Sequence, residues 1–286
     1  MTVVAIVIAA LRVAAPLVVA AVGGLIAELA GLISFGMEGF MLMGAFAAIA
    51  AAHAYGTAAG FVAAALAGTM LALAHGAFTV WLGTDQVVTA VALNLFAAGF
   101  TSYANTLLYG LATEPVRVAI PPSYHVYFGY LAVPAVWFLI RRTSWGLALR
   151  AVGEDPHAAH AAGLSVRKYR FAALAAAGAL AGLAGAELSL GQIGQFVENM
   201  TGGRGFIAYS AIVFGRWTPM GTVAGALLFG LADAVQFALQ ALGITQVPYQ
   251  VLVATPPLVT LAVLVVFAGR SSWPAASGTY FDPEQS

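Results

Sequence analysis

Residues 141–170, RRTSWGLALRAVGEDPHAAHAAGLSVRKYR, are the one long polar interruption in a chain that is otherwise almost continuously apolar. They hold six of its eleven Lys and Arg residues: Arg141, Arg142, Arg150, Arg167, Lys168 and Arg170. Basic residues gathered between two hydrophobic spans mark a cytoplasmic loop. Within it, Asp155 can cap a helix that Pro156 opens, since the N–H that proline lacks has no intrahelical acceptor at that position. Gly163 supplies a stop. The piece between, residues 156–162, is about two turns, too short to be helical alone in water, so its order has to come from docking onto something. Spacing alone leaves two readings open, a docking element or an ordinary basic loop with one helical turn.

Composition fixes the setting. The chain is 62% hydrophobic and 8% charged with a mean hydropathy of +0.93, whereas a soluble domain carries about 25% charged residues. The expected fold class is therefore all-α, a polytopic helical membrane protein. Its 286 residues accommodate about eight or nine transmembrane helices of about 20–25 residues, one of them short or broken. Residues 1–270 read as one membrane domain, with 141–170 as its cytoplasmic loop, and residues 271–286 as a flexible cytoplasmic tail. The N-terminal run has no basic leader region and no clear cleavage site, so it reads as a first span rather than a signal peptide. Zero net charge with concentrated basic residues gives no nucleic-acid footprint, and the absence of cysteine removes disulfides and thiolate chemistry.

In chain order, the first span covers about residues 3–27 and contains Arg12 and Pro16. The second, about 31–52, is interrupted by Gly31, Gly36, Gly39 and Gly44 and carries Glu38 near its inner end. That acid is either functional or an interfacial carboxylate in contact with water. A third span, about 58–80, contains His75, with His53 just before it; neither has a partner at ligand spacing, so no metal is assigned. In the fourth, about 86–111, Gln86, Thr89 and Asn94 fall near one face, either as a wet stripe or as hydrogen-bonding glue between helices. Residues 112–123 are a proline-rich loop and 124–140 a fifth span with aromatic ends.

Beyond the basic loop, residues 171–190 carry Gly178, Gly182 and Gly185, a small-residue stripe suited to close helix contact. A polar outer segment with Gln192, Gln195, Glu198, Asn199 and Arg204 leads to residues 206–214, whose nine apolar residues are too few for an ordinary span. A half-helix covered by protein satisfies the rule that irregular backbone at membrane depth is buried or lines a cavity. The eighth span, about 222–241, begins with Gly221 and Gly225 at packing spacing and continues with Asp233, Gln236 and Gln240 on one face. Asp233 reads as part of a pore or of a protein–protein contact, with the contact favoured. A last span covers about 249–267. Basic residues number eight on the assigned cytoplasmic side, with Arg216 and Arg270 joining the loop, against Arg117 and Arg204 outside. The N-terminus is thus expected outside and the C-terminus in the cytoplasm.

Two functional classes remain. The chain has no G-x-x-x-x-G-K-[ST] phosphate loop, which points to a transport subunit driven by another chain. A self-sufficient carrier or intramembrane enzyme should show a relay of midplane acids, or a nucleophile and metal motif. Glu38, Glu187 and Asp233 are thin material for the former, and the latter is not written here.

The run GLALRAVGEDPHAAHAAGLSVRKYR resembles the cytoplasmic coupling loop of permease subunits of bacterial ABC importers, in the branch that carries simple sugars, nucleosides and branched-chain amino acids. Glu38 in its glycine-bracketed setting is similar to that family's second helix. The pattern Gly-Arg-Gly-Phe-Ile-Ala followed by Phe-Gly-Arg-Trp-Thr-Pro-Met-Gly resembles the nucleoside and simple-sugar permeases more closely than the amino-acid ones. The resemblance covers nearly the whole chain. It implies a bacterial inner-membrane permease that imports a nucleoside or simple sugar, or alternatively a branched-chain amino acid, with a proton-coupled carrier as the competing reading. The implied partners are an ABC ATPase, a second permease subunit and an extracytoplasmic binding protein, with ATP and Mg held by the ATPase and no cofactor or enzymatic activity here. On the same analogy Glu154, Asp155, Pro156, His157, Ala159, His160 and Gly163 make the ATPase contact. Glu38, Gln86, Asn94, Gln192 and Asn199 are expected to border the translocation pathway, and Gly178, Gly182, Gly221, Gly225 and Asp233 to serve subunit or helix packing.

Overall fold

The computed structural model describes residues 3–110, 117–119, 124–241 and 273–282. All regular structure among them is helical. Helix α1 (Val3–Leu29) is the axis of the bundle: Leu17, Val18, Ala20, Ala21 and Leu25 are wholly buried in it. Its neighbours can come close because Gly23 faces Leu180 and Gly24 faces Met37 and Ile212. Where lipid is as apolar as the core, such close packing is what holds helices together. The chain turns at Gly31, passes through a short 3-10 turn (Ser34–Gly36) and enters α2 (Met37–Tyr55). A single residue, Gly56 at φ +87, reverses it into α3 (Thr57–Gly76), which runs through a π turn (Ala77–Trp81) toward α4 (Gln86–Tyr109).

Helix α5 (Tyr124–Arg142) contains Pro134 and leads to α6 (Ser144–Glu154), α7 (Pro156–Ala161) and α8 (Val166–Ala186), which continues as a π turn (Glu187–Ile193). The glycine stripe of α8 lies in a three-helix seam. Gly182 rests on the backbone of Ala64 and Gly68 in α3 and on Gly44 of α2, Gly178 on Gly68 and Ala72, and Gly185 on the Met41 carbonyl, so a Cβ at any of them would collide. Helix α9 (Arg204–Phe214) has eleven residues, about 16 Å or about half the hydrocarbon thickness. It packs on α1, α2 and α10 (Pro219–Ala241). Gly215 and Gly221 meet at the α9–α10 turn, and Gly225 lies against Ala211.

Among the described residues, five stretches are long and apolar enough to cross a membrane: Ala10–Glu28, Ser34–Tyr55, Thr57–Trp81, Gln86–Tyr109 and Val166–Ile193. The expected loop 112–123, apart from 117–119, and the expected last span 249–267 with Arg270 lie outside the described residues.

The first half of the basic loop is helical: Thr143 caps α6 by accepting from the Gly146 amide at 3.1 Å, and Leu149 and Val152 bury one face. The tail is not free where it is described: residues 273–282 lie on the bundle, with Phe281 only 3% exposed. Asp233, read as a packing residue, is 7% exposed within the single chain.

Candidate functional site

Two polar constellations stand out, one at the end of the bundle that carries α7 and one where helices break inside it. At the first, Asp155 adopts an extended conformation and its Oδ1 accepts from the His157 and Ala158 amides at 3.0 and 2.9 Å. Two of the orphan donors at the start of α7 are thereby satisfied by the residue before it. Gly163, at φ +87, ends the turn. Helix α7 lies on a small apolar bed of Val152, Val166 and Phe281, into which Ala159 projects at 4% exposure. Pro156 is also buried, whereas His157, Ala158, His160, Ala161 and Gly163 are exposed. Ala159 and Pro156, expected as contacts for another protein, therefore anchor the helix instead. The outward face belongs to His157, Ala158, His160 and Ala161. Glu154 and Asp155 are exposed beside it, and Glu154 Oε2 accepts from the Ala275 amide at 3.4 Å.

The second constellation surrounds the break between α1 and α2 and the start of α9. Backbone that leaves a helix inside a bundle must find partners, since no water is there to supply them. Four side chains supply them here. Gln86 Oε1 accepts from the Ile33 amide at 2.8 Å. Asn94 takes the Gly39 amide on Oδ1 at 2.8 Å and donates through Nδ2 to the Phe35 carbonyl at 3.0 Å. Glu28 accepts from the Ser34 amide at 2.7 Å and from the Trp217 indole at 3.0 Å. Glu38 accepts from the amides of Gly203 and Gly205 at 2.8 and 2.7 Å and so caps α9 from another helix. The caps and ties explain the residues around them: Gly205 sits against Glu38 with no room for a Cβ. Arg216 and Trp217 both take φ +52, a conformation that costs about 1–3 kcal/mol each and that the Trp217–Glu28 bond helps to hold.

Glu38, Gln86 and Asn94 are thus engaged with backbone, the gluing role that remained open for the latter two. Gln192 donates through Nε2 to the Arg12 carbonyl at 3.2 Å, and Asn199 is exposed in a left-handed turn (φ +52) ahead of α9. Glu198 joins this segment to α4 by accepting from the Ser102 hydroxyl at 2.8 Å. Asp233 and Gln236 lie on α10, Asp233 within electrostatic reach of Arg204 at the start of α9, and the side chain of Gln240 is outside the described residues. Glu28 and Trp217 were not anticipated; an acid closing an otherwise apolar run was the available signal.

The family described as "Branched-chain amino acid transport system / permease component" matches residues 6–268. The chain belongs to this family. Among similar proteins, the guanosine ABC transporter permease protein NupQ of Bacillus subtilis is 32% identical over 93% of this chain and 92% of its own length. The nucleoside ABC transporter permease protein NupC of Lactococcus lactis is 31% identical over 93% of both chains. The putative glucose ABC transporter permease protein TsgC13 of Haloferax volcanii is 35% identical over 84% of this chain and 79% of its own. As a permease component the chain is a membrane protein that works within a transporter complex and is not itself the catalyst, ATP hydrolysis belonging to a separate subunit.

Proposed function

We propose that this permease forms the translocation pathway of an importer for a nucleoside or a simple sugar, driven by an ABC ATPase seated on α7. The observation that carries the reading is the build of α7. A helix of six residues with its own cap and stop is held by one face and leaves the other, His157, Ala158, His160 and Ala161, open to a partner. The substrate class rests on the nucleoside and glucose permeases to which the chain is similar over most of its length. An uncharged, hydroxyl-rich solute needs few charges along its route, in keeping with a chain that is 8% charged.

In this reading the α7 end faces the cytoplasm, with the N-terminus outside and the C-terminus inside. Nine crossings follow if α9 completes one. The ATPase holds ATP and Mg, a second permease of unassigned identity completes the pathway, and an extracytoplasmic binding protein selects the solute. Closure of the ATPases on nucleotide would move α7 and switch the pathway between outward and inward access. In the same reading the route runs beside Gln192 and Asn199 and along the α4 face that bears Asn94.

The test is uptake into vesicles containing the permease complex, its ATPase and its binding protein, with guanosine, glucose and leucine as competing solutes. ATP-dependent uptake of guanosine or glucose is expected. Ala158→Arg, on the open face of α7, should abolish co-purification of the ATPase while leaving the permease folded. Preferred uptake of leucine would reassign the substrate class, and uptake driven by a proton gradient without ATP would overturn the reading.

A further inference from the structure

Residues 273–282 reach across the α7 end of the bundle. The Trp273 ring lies 5.3 Å from that of Trp217 at the α9–α10 turn. The Ala276 amide donates to the Gly153 carbonyl of α6 at 3.0 Å, and the Gly278 amide to Gly31, just past α1, at 3.1 Å. The Thr279 carbonyl accepts from Nη1 of the buried Arg170 in α8 at 2.9 Å. The Tyr280 ring rests against Gly83 in the α3–α4 connection. Phe281 then enters the bed of α7, edge-on to both His157 and His160 at 5.2 and 5.5 Å between ring centroids.

Among the described residues, the apolar bed beneath α7 combines this ring with Val152 of α6 and with Leu164, Val166 and Tyr169 around the start of α8. A displacement of α7 can therefore reach α1, the α3–α4 connection and the α9–α10 turn through a single ten-residue segment. We propose that this segment is the mechanical link of the transporter, with Phe281 as a positioning residue that ties the ATPase-docking helix to the ends of the membrane helices. This rests on the ATPase docking at α7 proposed above.

Coupling between two sites is commonly worth about 5–150-fold. In the assembled complex in vesicles, Phe281→Ala should lower ATP-driven uptake by about tenfold or more, with ATPase co-purification intact and ATP hydrolysis within about twofold of the parent. Phe281→Tyr, which keeps the ring, should restore uptake; a cavity of about 280 Å³ beside Phe281 leaves room for the hydroxyl. Trp273→Ala, at the far end of the segment and away from α7, should uncouple in the same way, so the inference stays testable if Phe281→Ala fails to accumulate. Uptake at the parent rate in Phe281→Ala or Trp273→Ala would overturn it, as would parallel loss of ATPase co-purification, which would make Phe281 a mere shaper of the docking face. The parent complex separates the two proposals: ATP-driven uptake there with no effect of these substitutions removes the link alone. Absence of such uptake removes the docking reading on which the link depends.

Discussion

Helices α7 and α9 are both too short to sustain themselves, and both begin on a carboxylate, but the carboxylates come from different places. For α7 it is Asp155, the residue immediately before the helix. For α9 it is Glu38, 165 residues away from the amide of Gly203 that it accepts. A helix that carries its own cap and its own glycine stop can shift as a unit with its ends still satisfied. One capped by a distant helix exists as a helix only while that helix is in place, so α2 and α9 move together or not at all. The same device thus makes one part that can travel and another that is locked. Under the proposed function, the part that can travel is the one offered to the ATPase.

Breaking the remote cap should have the largest effect. Glu38→Ala leaves the buried Gly205 amide and the part-buried Gly203 amide without their acceptor, at about 1–3 kcal/mol for the first and less for the second. The melting temperature of the purified permease should fall, and hydrogen exchange should rise both at 203–207 and at the start of α2. Exchange confined to α9 would show that the two helices are not locked. Next comes the stop of α7. Gly163→Val puts a β-branched residue at φ +87, a strain of about 1–2 kcal/mol. Its effect should be confined to amides of 157–164, with the melting temperature of the bundle unchanged, and a global destabilisation would count against α7 being an independent unit.

The same contrast governs how much could be read from the sequence. Asp155, Pro156 and Gly163 announce α7 because a local cap, a proline and a stop fall within nine residues. The shortness of α9 was legible from the length of its apolar run, but its partner was not. Glu38 and Gly205 are brought together by packing alone, and nothing about either residue names the other. Gln86 and Asn94 were recognisable as a polar stripe; only the break at 30–36 decides that backbone amides and carbonyls claim them. Helix α6 was hidden because its cap, Thr143, stands among basic residues that read as loop. The segment 273–282 was hidden for a related reason. WPAASGTYFD has the turn-forming composition of a free tail, and its order comes from Trp217, Gly153, Arg170 and the bed of α7, all distant in the chain.

The smallest effect sharpens the comparison most. Asp155→Ala removes one side-chain cap at an exposed site, a loss of about 1 kcal/mol, and the bundle should melt as before because no buried group is orphaned. Yet α7 must be helical to present its open face, so the ATPase would bind a conformation that is now less populated. An affinity scales with the population of the competent state, and about 1 kcal/mol corresponds to a fall of about fivefold. Asp155→Ser restores an acceptor oxygen and should bring the affinity back to within about twofold. Titration of the permease with its ATPase, alongside hydrogen exchange at 157–161, measures both quantities on the same variants. If Asp155→Ala raised exchange in α7 without weakening the ATPase, docking would not depend on a preformed helix. If neither changed, the order of α7 would come from Val152, Val166 and Phe281 beneath it, and the local cap would be dispensable.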